Sequence, residues 1–351
     1  MTIVQVLDAL DFGDGVSKDV INKYSLLKEM GYETEIYSKW VHENVKEYRK
    51  DIRNLRLKSN DILIHHFSGE CHSLDEILSQ NCKKVLVYHN ITPEKFFEED
   101  SNSNHCSIGE TQLKQIYKNY DFFLADSQFN ADSLYNLGVD KQVDVLPILI
   151  EFKAFDHYIQ NKILSKKEKL FLFVGRVAEN KKHEDIIDIF EYYYSNIDCN
   201  SKLVFVGNTE YSKEYHMNLL DKISKLKAKE NIIFTGKVDD SIVYNYYANA
   251  DVFICMSEHE GFCIPLLESM YCGVPTLAYD SSAIGSTMGD SGILVYKKDY
   301  KKIAKLIHVI LENEKINKSI VDAQLKWVDK FKKENIRNEI VILIKKWSGV
   351  N

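Results

Sequence analysis

Short runs of apolar residues alternate along the chain with longer stretches in which apolar positions recur at helical spacing. The run TIVQVL at 2–7 precedes the amphipathic stretch DVINKYSLLKEM at 19–30, which ends at Gly31. Four more apolar runs follow before residue 150: ETEIYS, DILIHHF, KKVLVYHN and DFFLADS. This alternation is typical of βα units built on a parallel sheet.

A second series with the same pattern begins after a polar, lysine-rich stretch at 151–169. Its apolar runs are KLFLFVGR, SKLVFVGN, NIIFTGK, DVFICMS, VPTLAYD and GILVY. The sequence therefore predicts an α/β fold of two Rossmann-like, doubly wound domains that face each other across a crevice. Ligands of such sheets bind beyond the carboxyl ends of the strands, so the crevice is the expected site.

The polar stretch is predicted to join the two domains. The first domain is expected to span 1–160 and the second 161–329. The last stretch, about 330–351, is amphipathic, so we expect a helix there that packs back on the first domain.

Composition narrows the class of protein. The 351 residues exceed the usual size of one hydrophobic core, and a 45% hydrophobic share is typical of globular chains. The net charge of -7 arises from mixed signs, so no nucleic-acid partner held by global charge is expected. The seven scattered cysteines contain no C-x-x-C pair and favour a reducing compartment. Because no apolar run approaches membrane-spanning length and the N-terminus lacks signal-peptide features, we expect a cytoplasmic protein.

The loop DFGDG after the first strand carries Gly13 and Gly15 directly before a helix. Backbone N–H groups at such a turn can approach a phosphate closely, and the helix N-terminus adds partial positive charge. A tight turn that needs a positive φ explains the same glycines equally well. The loop does not match G-x-G-x-x-G, the standard dinucleotide fingerprint.

Arginine is rare in this chain, with five residues against forty lysines (45 minus 5). One of the five, Arg176, follows a buried run in FVGR, and Lys181 stands five residues later at the entry to the next helix. A planar guanidinium and a nearby ammonium suit the binding of one diphosphate. A surface salt bridge is the alternative explanation for Arg176.

Histidines occur near the ends of first-domain strands. His89, in VYHN, stands where an imidazole can donate to a substrate oxygen or act as an acid or base, although a structural histidine fits equally well. The stretch HHFSGECHS offers His65, His66, Cys71 and His72. Adjacent residues on a strand point to opposite faces, so we expect no shared metal ion there.

A basic series has spacings of three, four and three residues: Lys46, Arg49, Arg53 and Arg56. These spacings predict one face of a helix. A solvated face and a contact with an anionic membrane or a phosphorylated acceptor both remain open.

Two acids enclose an apolar interval in EHEGFCIPLLE at 258–268. Seven residues separate Glu260 from Glu268. The Gly-Phe-Cys turn between them can present backbone amides at a helix start, and Pro265 is tolerated in a first helical turn. Glu268 then emerges about two turns beyond Glu260.

Several of these motifs together carry a family resemblance: FVGR with Lys181, then FTGKV, then SEHEGFCIPLLESMYCGVPTLAYD, with DFGDG and YHN in the first domain. The chain resembles the retaining nucleotide-sugar glycosyltransferases of family 4, which have the GT-B fold and an E-x7-E motif. The resemblance covers nearly the whole chain, and its motifs are modest singly and specific jointly.

Matched position by position, the resemblance implies that Arg176 and Lys181 bind the diphosphate of the donor. Gly15 would support the same phosphates through its backbone, and Val238 would meet the nucleotide base. His89 matches the family histidine beside the transferred sugar.

The resemblance also implies different roles for the two glutamates. Glu260 would accept hydrogen bonds from hydroxyls of the donor sugar, and Glu268 would accept them from the ribose. The nearby turn would contribute the backbone N–H groups of Gly261, Phe262 and Cys263. Fixed cations and amides of this kind stabilise the leaving diphosphate without a metal, so no cofactor is expected.

This chain departs from the family pattern at two positions. Lys182 stands where members usually have glycine, and Cys263 stands where a small residue is frequent. Neither departure removes a charged group. We therefore expect them to change the affinity or the loop shape, and not the reaction.

The resulting prediction is a hexosyltransferase that uses a UDP or GDP sugar and a glycan or lipid-linked glycan acceptor. Its setting would be bacterial surface-polysaccharide synthesis in the cytoplasm, at the inner face of the membrane. Two alternatives stay open: a nucleotide-sugar epimerase or hydrolase with the same fold, and a non-catalytic partner subunit.

Overall fold

The computed structural model describes residues 1–97, 101–162 and 168–349. The chain divides into unit 1, which comprises Met1–Glu151 and Phe331–Asn351, and unit 2, which comprises Phe152–Lys330. Each unit is built on its own parallel sheet with helices, so the predicted pair of Rossmann-like domains is confirmed.

The sheet of unit 1 has the strand order β3-β2-β1-β4-β5-β6-β7, and its strands pair in parallel. Its strands are β1 (Thr2–Leu10), β2 (Glu33–Val41), β3 (Arg49–Asp51), β4 (Ile62–Phe67), β5 (Lys83–Tyr88), β6 (Phe122–Ala125) and β7 (Val143–Val145). The order reverses between β1 and β4, which defines the switch point of a doubly wound sheet.

Unit 2 repeats this arrangement with the order β10-β9-β8-β11-β12-β13. Its strands are β8 (Lys169–Val174), β9 (Ser201–Val206), β10 (Ile232–Phe234), β11 (Val252–Cys255), β12 (Thr276–Tyr279) and β13 (Ile293–Val295). The reversal lies between β8 and β11, which pair directly.

Helices connect the strands in both units. The α-helices are α1 (Gly15–Glu29), α2 (Leu74–Leu78), α3 (Ser101–Ile116), α4 (Gln128–Leu137), α5 (Asp156–Gln160), α6 (His183–Asn196), α7 (Lys213–Ser224), α8 (Asp240–Asn249), α9 (Ile264–Tyr271), α10 (Ile284–Met288), α11 (Tyr300–Glu312), α12 (Glu314–Val328) and α13 (Lys333–Ser348). Short 3-10 helices lie between some of them, among them Glu43–Tyr48, Ile52–Asn54, Phe152–Phe155 and Glu179–Lys181.

The C-terminal helix α13 packs on the sheet of unit 1. Its apolar side joins a buried cluster with Ile3, Ile62 and Val85 from three neighbouring strands. The helix contributes Ile336, Ile340, Leu343, Ile344 and Trp347. Because successive strand residues face opposite sides, Val4 and Leu63 belong to the other core layer.

The boundary between the units lies earlier than the sequence predicted. Residues 152–160 belong to unit 2, so the expected boundary after residue 160 is wrong by nine residues. The cause is aromatic packing: the buried Phe155 ring lies 4.4 Å from the ring of Tyr244 and 5.8 Å from that of Tyr247. In addition, Asp156 accepts a hydrogen bond of 2.6 Å from the Tyr271 hydroxyl.

The basic series does not form one helical face, so that prediction is wrong. Its members are spread over a 3-10 helix, β3, a second 3-10 helix and the irregular segment after it: Lys46, Arg49, Arg53 and Arg56. The physical reason is that β3 pairs with β2 and breaks the helical period. Arg49 then donates to the carbonyls of Ser38 and Lys39, at 3.1 and 3.0 Å.

Two further observations concern the described part of the chain. No helix there is both long enough and apolar enough to cross a membrane. All seven cysteines lie within it, and none of them forms a disulfide.

Candidate functional site

The carboxyl ends of β8 and β11 lie side by side at the switch point of unit 2. The loop at 175–182 follows β8, and the loop at 256–263 follows β11. Sheets of this type bind ligands at this edge, so we call these two loops the switch-point loops. They carry Arg176, Lys181 and Glu260.

Lys181 and Glu260 form an ion pair across the switch-point loops. The Lys181 Nζ atom lies 2.7 Å from each carboxylate oxygen of Glu260. The two side chains are only 14% and 10% exposed. Because little water reaches either charge, each group is stabilised chiefly by the other.

Asn180, next to Lys181 in the chain, links the two switch-point loops by hydrogen bonds. The buried side-chain amide of Asn180 donates to the carbonyl of His259 at 2.9 Å, and the backbone carbonyl of Asn180 accepts from the Glu258 N–H at 2.8 Å. Asn180 therefore fixes the distance between Lys181 and Glu260. Asn180 was not identified from the sequence. The one signal that could have found it is its position directly before Lys181.

A third loop holds the backbone of Glu260. The Glu260 N–H donates to the Ser282 hydroxyl at 2.7 Å, and the Glu260 carbonyl accepts from the Ala283 N–H at 3.2 Å. Ser282 has a positive φ of 46°, a backbone conformation that residues other than glycine rarely adopt. This contact was also not predicted, because Ser282 follows a different strand.

The turn after Glu260 leads directly into α9. Gly261 is followed by the buried residues Phe262 and Cys263, and Pro265 lies in the first turn of the helix. The Thr287 hydroxyl donates to the Phe262 carbonyl at 2.6 Å, which holds the turn in place. The N-terminus of α9 therefore follows Glu260 closely in the chain and adds partial positive charge at this edge of the sheet.

Arg176 is exposed and lies over an aromatic ring. Its guanidinium carbon is 4.2 Å from the centre of the Tyr211 ring, which belongs to the loop after β9. The same loop begins at Gly207, where φ is +152° and a Cβ would lie 2.0 Å from the Gly175 carbonyl oxygen. Glycine is thus required for the close approach of the two loops that carry Arg176 and Tyr211.

Glu268, the second acid of the motif, is held by a tyrosine. It lies in α9 and accepts a hydrogen bond of 2.8 Å from the hydroxyl of the fully buried Tyr247. Burial and the nearby Glu268 carboxylate raise the pKa of Tyr247 well above its usual value, so Tyr247 remains a donor. Val238 lies half-buried between β10 and α8 at the same edge of the sheet.

Both departures from the family pattern fall on left-handed backbone. Lys182 has φ of 53° and Cys263 has φ of 71°. Glycine adopts this conformation without steric cost, which explains its frequency at the first position. The hydrogen bond with Cys255 and burial raise the pKa of the Cys263 thiol well above its usual value.

Among the residues that the structure describes, two groups of side chains have ligand atoms close enough to surround a metal ion. Within each group these atoms lie within 4.8 Å of one another. One comprises Cys255, Glu260 and Cys263, but the Lys181 ammonium already occupies both oxygens of Glu260. The other comprises Asp19, His66 and His89 in unit 1. There Asp19 pairs with the Lys23 ammonium at 2.6 Å, so a second cation fits poorly at either place.

In unit 1, Gly15 begins α1 and Gly13 forms the turn before it. Gly13 has φ of 92°, and the Asp14 side chain caps the helix by accepting from the Ser17 N–H at 3.0 Å. The positive φ therefore explains the glycine at position 13, while Gly15 lies at the helix N-terminus, where an anion is favoured.

His89 follows β5 directly, and its side chain is only 1% exposed. Its Nδ1 atom lies 2.8 Å from Asp126 Oδ2, and its Nε2 atom lies 2.8 Å from His66 Nδ1. Both ring nitrogens are thus engaged within unit 1. His65 points to the opposite face of β4 and bonds the Tyr120 hydroxyl through Nδ1 at 2.5 Å.

The chain is similar to known glycosyltransferases in sequence. Residues 155–327 match the model of the family described as Glycosyl transferases group 1. A relative from Campylobacter jejuni is 24% identical over 278 residues, which cover 78% of this chain and 72% of that protein. Its name is N-acetylgalactosamine-N,N'-diacetylbacillosaminyl-diphospho-undecaprenol 4-alpha-N-acetylgalactosaminyltransferase. The chain spans about half the length of other curated relatives that it matches, with 44, 50 and 46% in three of them.

Solved structures match over the whole chain. A glycosyltransferase from Rickettsia africae ESF-5 has a TM-score of 0.78 at 16% identity and covers 100% of this chain and 99% of its own. HepE from Anabaena, crystallised with UDP and glucose, has a TM-score of 0.74 at 14% identity, with coverage of 99% and 100%. At such low identities the likeness concerns the fold, and the predicted GT-B fold is confirmed.

Proposed function

On the premise that this chain is a glycosyltransferase, as its group 1 match over residues 155–327 and its relatives indicate, we propose a retaining enzyme of family 4. It transfers a hexose-type sugar from a UDP or GDP sugar to a hydroxyl of a glycan or lipid-linked glycan. The observation that carries the proposal is the pairing of Lys181 with Glu260 at the switch point, beside the exposed Arg176.

The cations of this edge suit a leaving diphosphate. Negative charge grows on the diphosphate as the glycosidic bond stretches, and fixed positive groups stabilise that charge. Arg176 supplies a planar fork and Lys181 a point charge, while the start of α9 adds its dipole. In unit 1, Gly15 at the N-terminus of α1 keeps its proposed role of offering backbone N–H groups to phosphate.

The two glutamates act as hydrogen-bond acceptors and not as an acid–base couple. Glu260 accepts from hydroxyls of the donor sugar, next to the turn of Gly261, Phe262 and Cys263. Glu268 accepts from the ribose, and Tyr247 orients its carboxylate through the 2.8 Å hydrogen bond. Val238 contacts the base through its backbone.

The donor diphosphate needs no metal in this mechanism. Lys181 and Arg176 supply the positive charge that a divalent cation provides elsewhere. The departing phosphate assists removal of the acceptor proton, so the mechanism assigns no protein group as general base. His89 keeps its proposed role in sugar transfer.

The acceptor proposal rests on a relative. The Campylobacter jejuni protein carries diphospho-undecaprenol in its name, which supports a lipid-linked glycan and bacterial surface-polysaccharide synthesis. We place the enzyme in the cytoplasm at the inner face of the membrane. Among the basic residues proposed to touch anionic lipid, the Arg53 side chain is 80% exposed and pairs with Asp51 at 2.7 Å. Loss of salt-sensitive liposome binding on Arg53→Glu is the corresponding test.

The proposed function is tested by incubating the protein with UDP and GDP sugars and an undecaprenyl-diphosphate-linked glycan. Mass spectrometry detects the product, and NMR gives the configuration of the new linkage. We expect transfer with the donor's anomeric configuration retained. A donor changed without an acceptor would instead identify an epimerase or hydrolase, and no reaction with any donor would favour a non-catalytic partner subunit.

A further inference from the structure

A line of buried polar side chains crosses the sheet of unit 1. It runs from Asp126, after β6, through His89 and His66 to Gln5 on β1. The three links measure 2.8 Å from Asp126 Oδ2 to His89 Nδ1, 2.8 Å from His89 Nε2 to His66 Nδ1, and 3.2 Å from His66 Nε2 to Gln5 Oε1. All four residues are at most 7% exposed.

Both ends of this line are hydrogen-bond acceptors. The Gln5 amide has a fixed orientation, because its Nε2 group donates to the carbonyl of Val20 at 3.0 Å. Its oxygen therefore faces His66. Turning the amide around would lose that bond and bring the oxygen against the Val20 carbonyl. At the other end, the Asp126 carboxylate only accepts.

Counting protons then determines the charge of the line. Three hydrogen bonds between two terminal acceptors need three N–H protons, and two neutral imidazoles supply only two. One ring must therefore carry a second proton. His89 is the ring beside the carboxylate, and imidazole is a stronger base than carboxylate, so the proton resides on His89.

The surroundings favour the same assignment. Asp126 Oδ1 is buried and has no hydrogen-bond partner among the described residues, so His89 is the group that balances this carboxylate. Burial first, and then the charges of His89, Lys23 and His65, keep the pKa of His66 well below its usual value. His66 is thus the neutral ring of the pair.

The remaining groups around the line do not supply an alternative proton. From α1, the Lys23 ammonium is paired with Asp19, which also accepts from the Leu149 N–H at 2.8 Å. His65 faces the other side of β4 and bonds Tyr120. The helix α13 presents Ile340, Ile344 and Trp347, and the Trp347 Nε1 atom has no hydrogen-bond partner among the described residues.

We propose that Asp126, His66 and Gln5 are positioning residues that hold His89 as an imidazolium with both ring nitrogens protonated. An aspartate–histidine pair normally makes a general base, because the far ring nitrogen keeps a free lone pair. His89 has no such lone pair, since His66 accepts a proton there. His89 therefore acts as a fixed positive charge and not as a base. Its part in sugar transfer rests on the proposed function, whereas its protonation state does not.

The test is NMR of the full chain labelled with ¹⁵N-histidine, which reports the protonation of each ring nitrogen without any assay of activity. The His89→Gln variant assigns the His89 signals. We expect both His89 nitrogens to be protonated, and His66 to be protonated at Nε2 alone. A wild-type His89 with one bare nitrogen at neutral pH would overturn the proposal.

Two variants test the origin of the extra proton. In Asp126→Asn the amide can donate to His89 Nδ1, so two neutral rings satisfy the line and His89 should lose one proton. In Gln5→Leu the far acceptor is removed, and the same loss is expected even though Asp126 is intact. Asp132→Asn, at an exposed acid on α4, is the matched control and should leave the His89 signals unchanged. If one of these two variants does not fold, the other one still tests the proposal. A doubly protonated His89 in folded Asp126→Asn or folded Gln5→Leu would contradict the proton count.

Discussion

The Lys181 ammonium lies 2.7 Å from both carboxylate oxygens of Glu260, although the two residues are 79 positions apart in the chain. The contact brings together one loop after β8 and one after β11. Since both side chains are nearly buried, deletion of either one leaves an uncompensated charge. Tests of function at this site therefore need substitutions that keep the shape of the side chain.

Glu260→Gln should reduce sugar transfer by about 100-fold or more. The amide keeps the shape but cannot accept from sugar hydroxyls with the strength of a carboxylate, a difference of about 3 kcal/mol. The rate of nucleoside diphosphate release in the presence of acceptor measures the effect. Glu312→Gln, at a half-exposed site on α11, is the control and should retain full activity. An unchanged rate in Glu260→Gln would remove Glu260 from the sugar site.

Lys181→Met and Glu260→Gln should be strongly non-additive in the free energy of unfolding. Each single variant leaves one charge without its partner, and the double variant leaves none. We expect an interaction energy of about 1–3 kcal/mol, measured by urea denaturation of the four proteins. Additivity within about 0.5 kcal/mol would mean that the ion pair contributes nothing to the folded loops.

Lys182→Gly should leave the protein as stable as the wild type or more stable by about 1 kcal/mol. The substitution relieves a left-handed backbone at φ of 53°, and this gain is partly offset because glycine raises the conformational entropy of the unfolded chain. Thermal denaturation measures the change. The matched control is Lys305→Gly in the middle of α11, which should destabilise by about 1 kcal/mol. Equal losses in the two variants would show that the backbone at Lys182 carries no strain.

Stability should fall steeply below about pH 6.5. Burial lowers the pKa of both His65 and His183 to about 3, and that of His66 shifts in the same direction. In the unfolded chain these groups bind protons near pH 6.5. The folded state therefore loses stability as pH falls from about 6.5 towards 3, by about 1.4 kcal/mol per pH unit for each histidine.

His183→Leu isolates one of these contributions. Both ring nitrogens of His183 are buried without a hydrogen-bond partner among the described residues, and the ring packs 4.9 Å from that of Phe173. Replacement by leucine should stabilise the protein by about 1 kcal/mol or more at neutral pH and reduce the pH slope by about 1.4 kcal/mol per unit. His157→Leu, at an exposed position, serves as the control. A pH slope identical to the wild type in His183→Leu would show that His183 is charged in the folded state.

The parts of the site that sequence reasoning identified are those fixed by local pattern. Arg176 and Lys181 follow an apolar strand run, and Glu260 follows another, so strand ends alone place them at one edge of a sheet. Partners from distant parts of the chain could not be identified in this way. Ser282 and Tyr247 reach the two glutamates from other loops or helices, and no spacing in the sequence encodes those contacts.

The errors have the same origin. The basic series has a helical period, but pairing of β3 with β2 overrides it, because an edge strand gains backbone hydrogen bonds. The unit boundary was misplaced because Phe155 packs on Tyr244, almost ninety residues later. Local polarity gave no sign of that contact.

Nucleotide binding to the switch-point loops tests the central claim most directly. The melting temperature should be measured with UDP, GDP, ADP and their sugars, for the wild type and for Arg176→Ala. A ligand at about 100 times its Kd stabilises the folded state by about 2.7 kcal/mol, which corresponds to a shift of several degrees. We predict that UDP or GDP and the matching sugar raise the wild-type melting temperature and that Arg176→Ala loses most of the shift. If no nucleoside diphosphate changes the wild-type value, or if Arg176→Ala responds fully, the donor site is not where we place it.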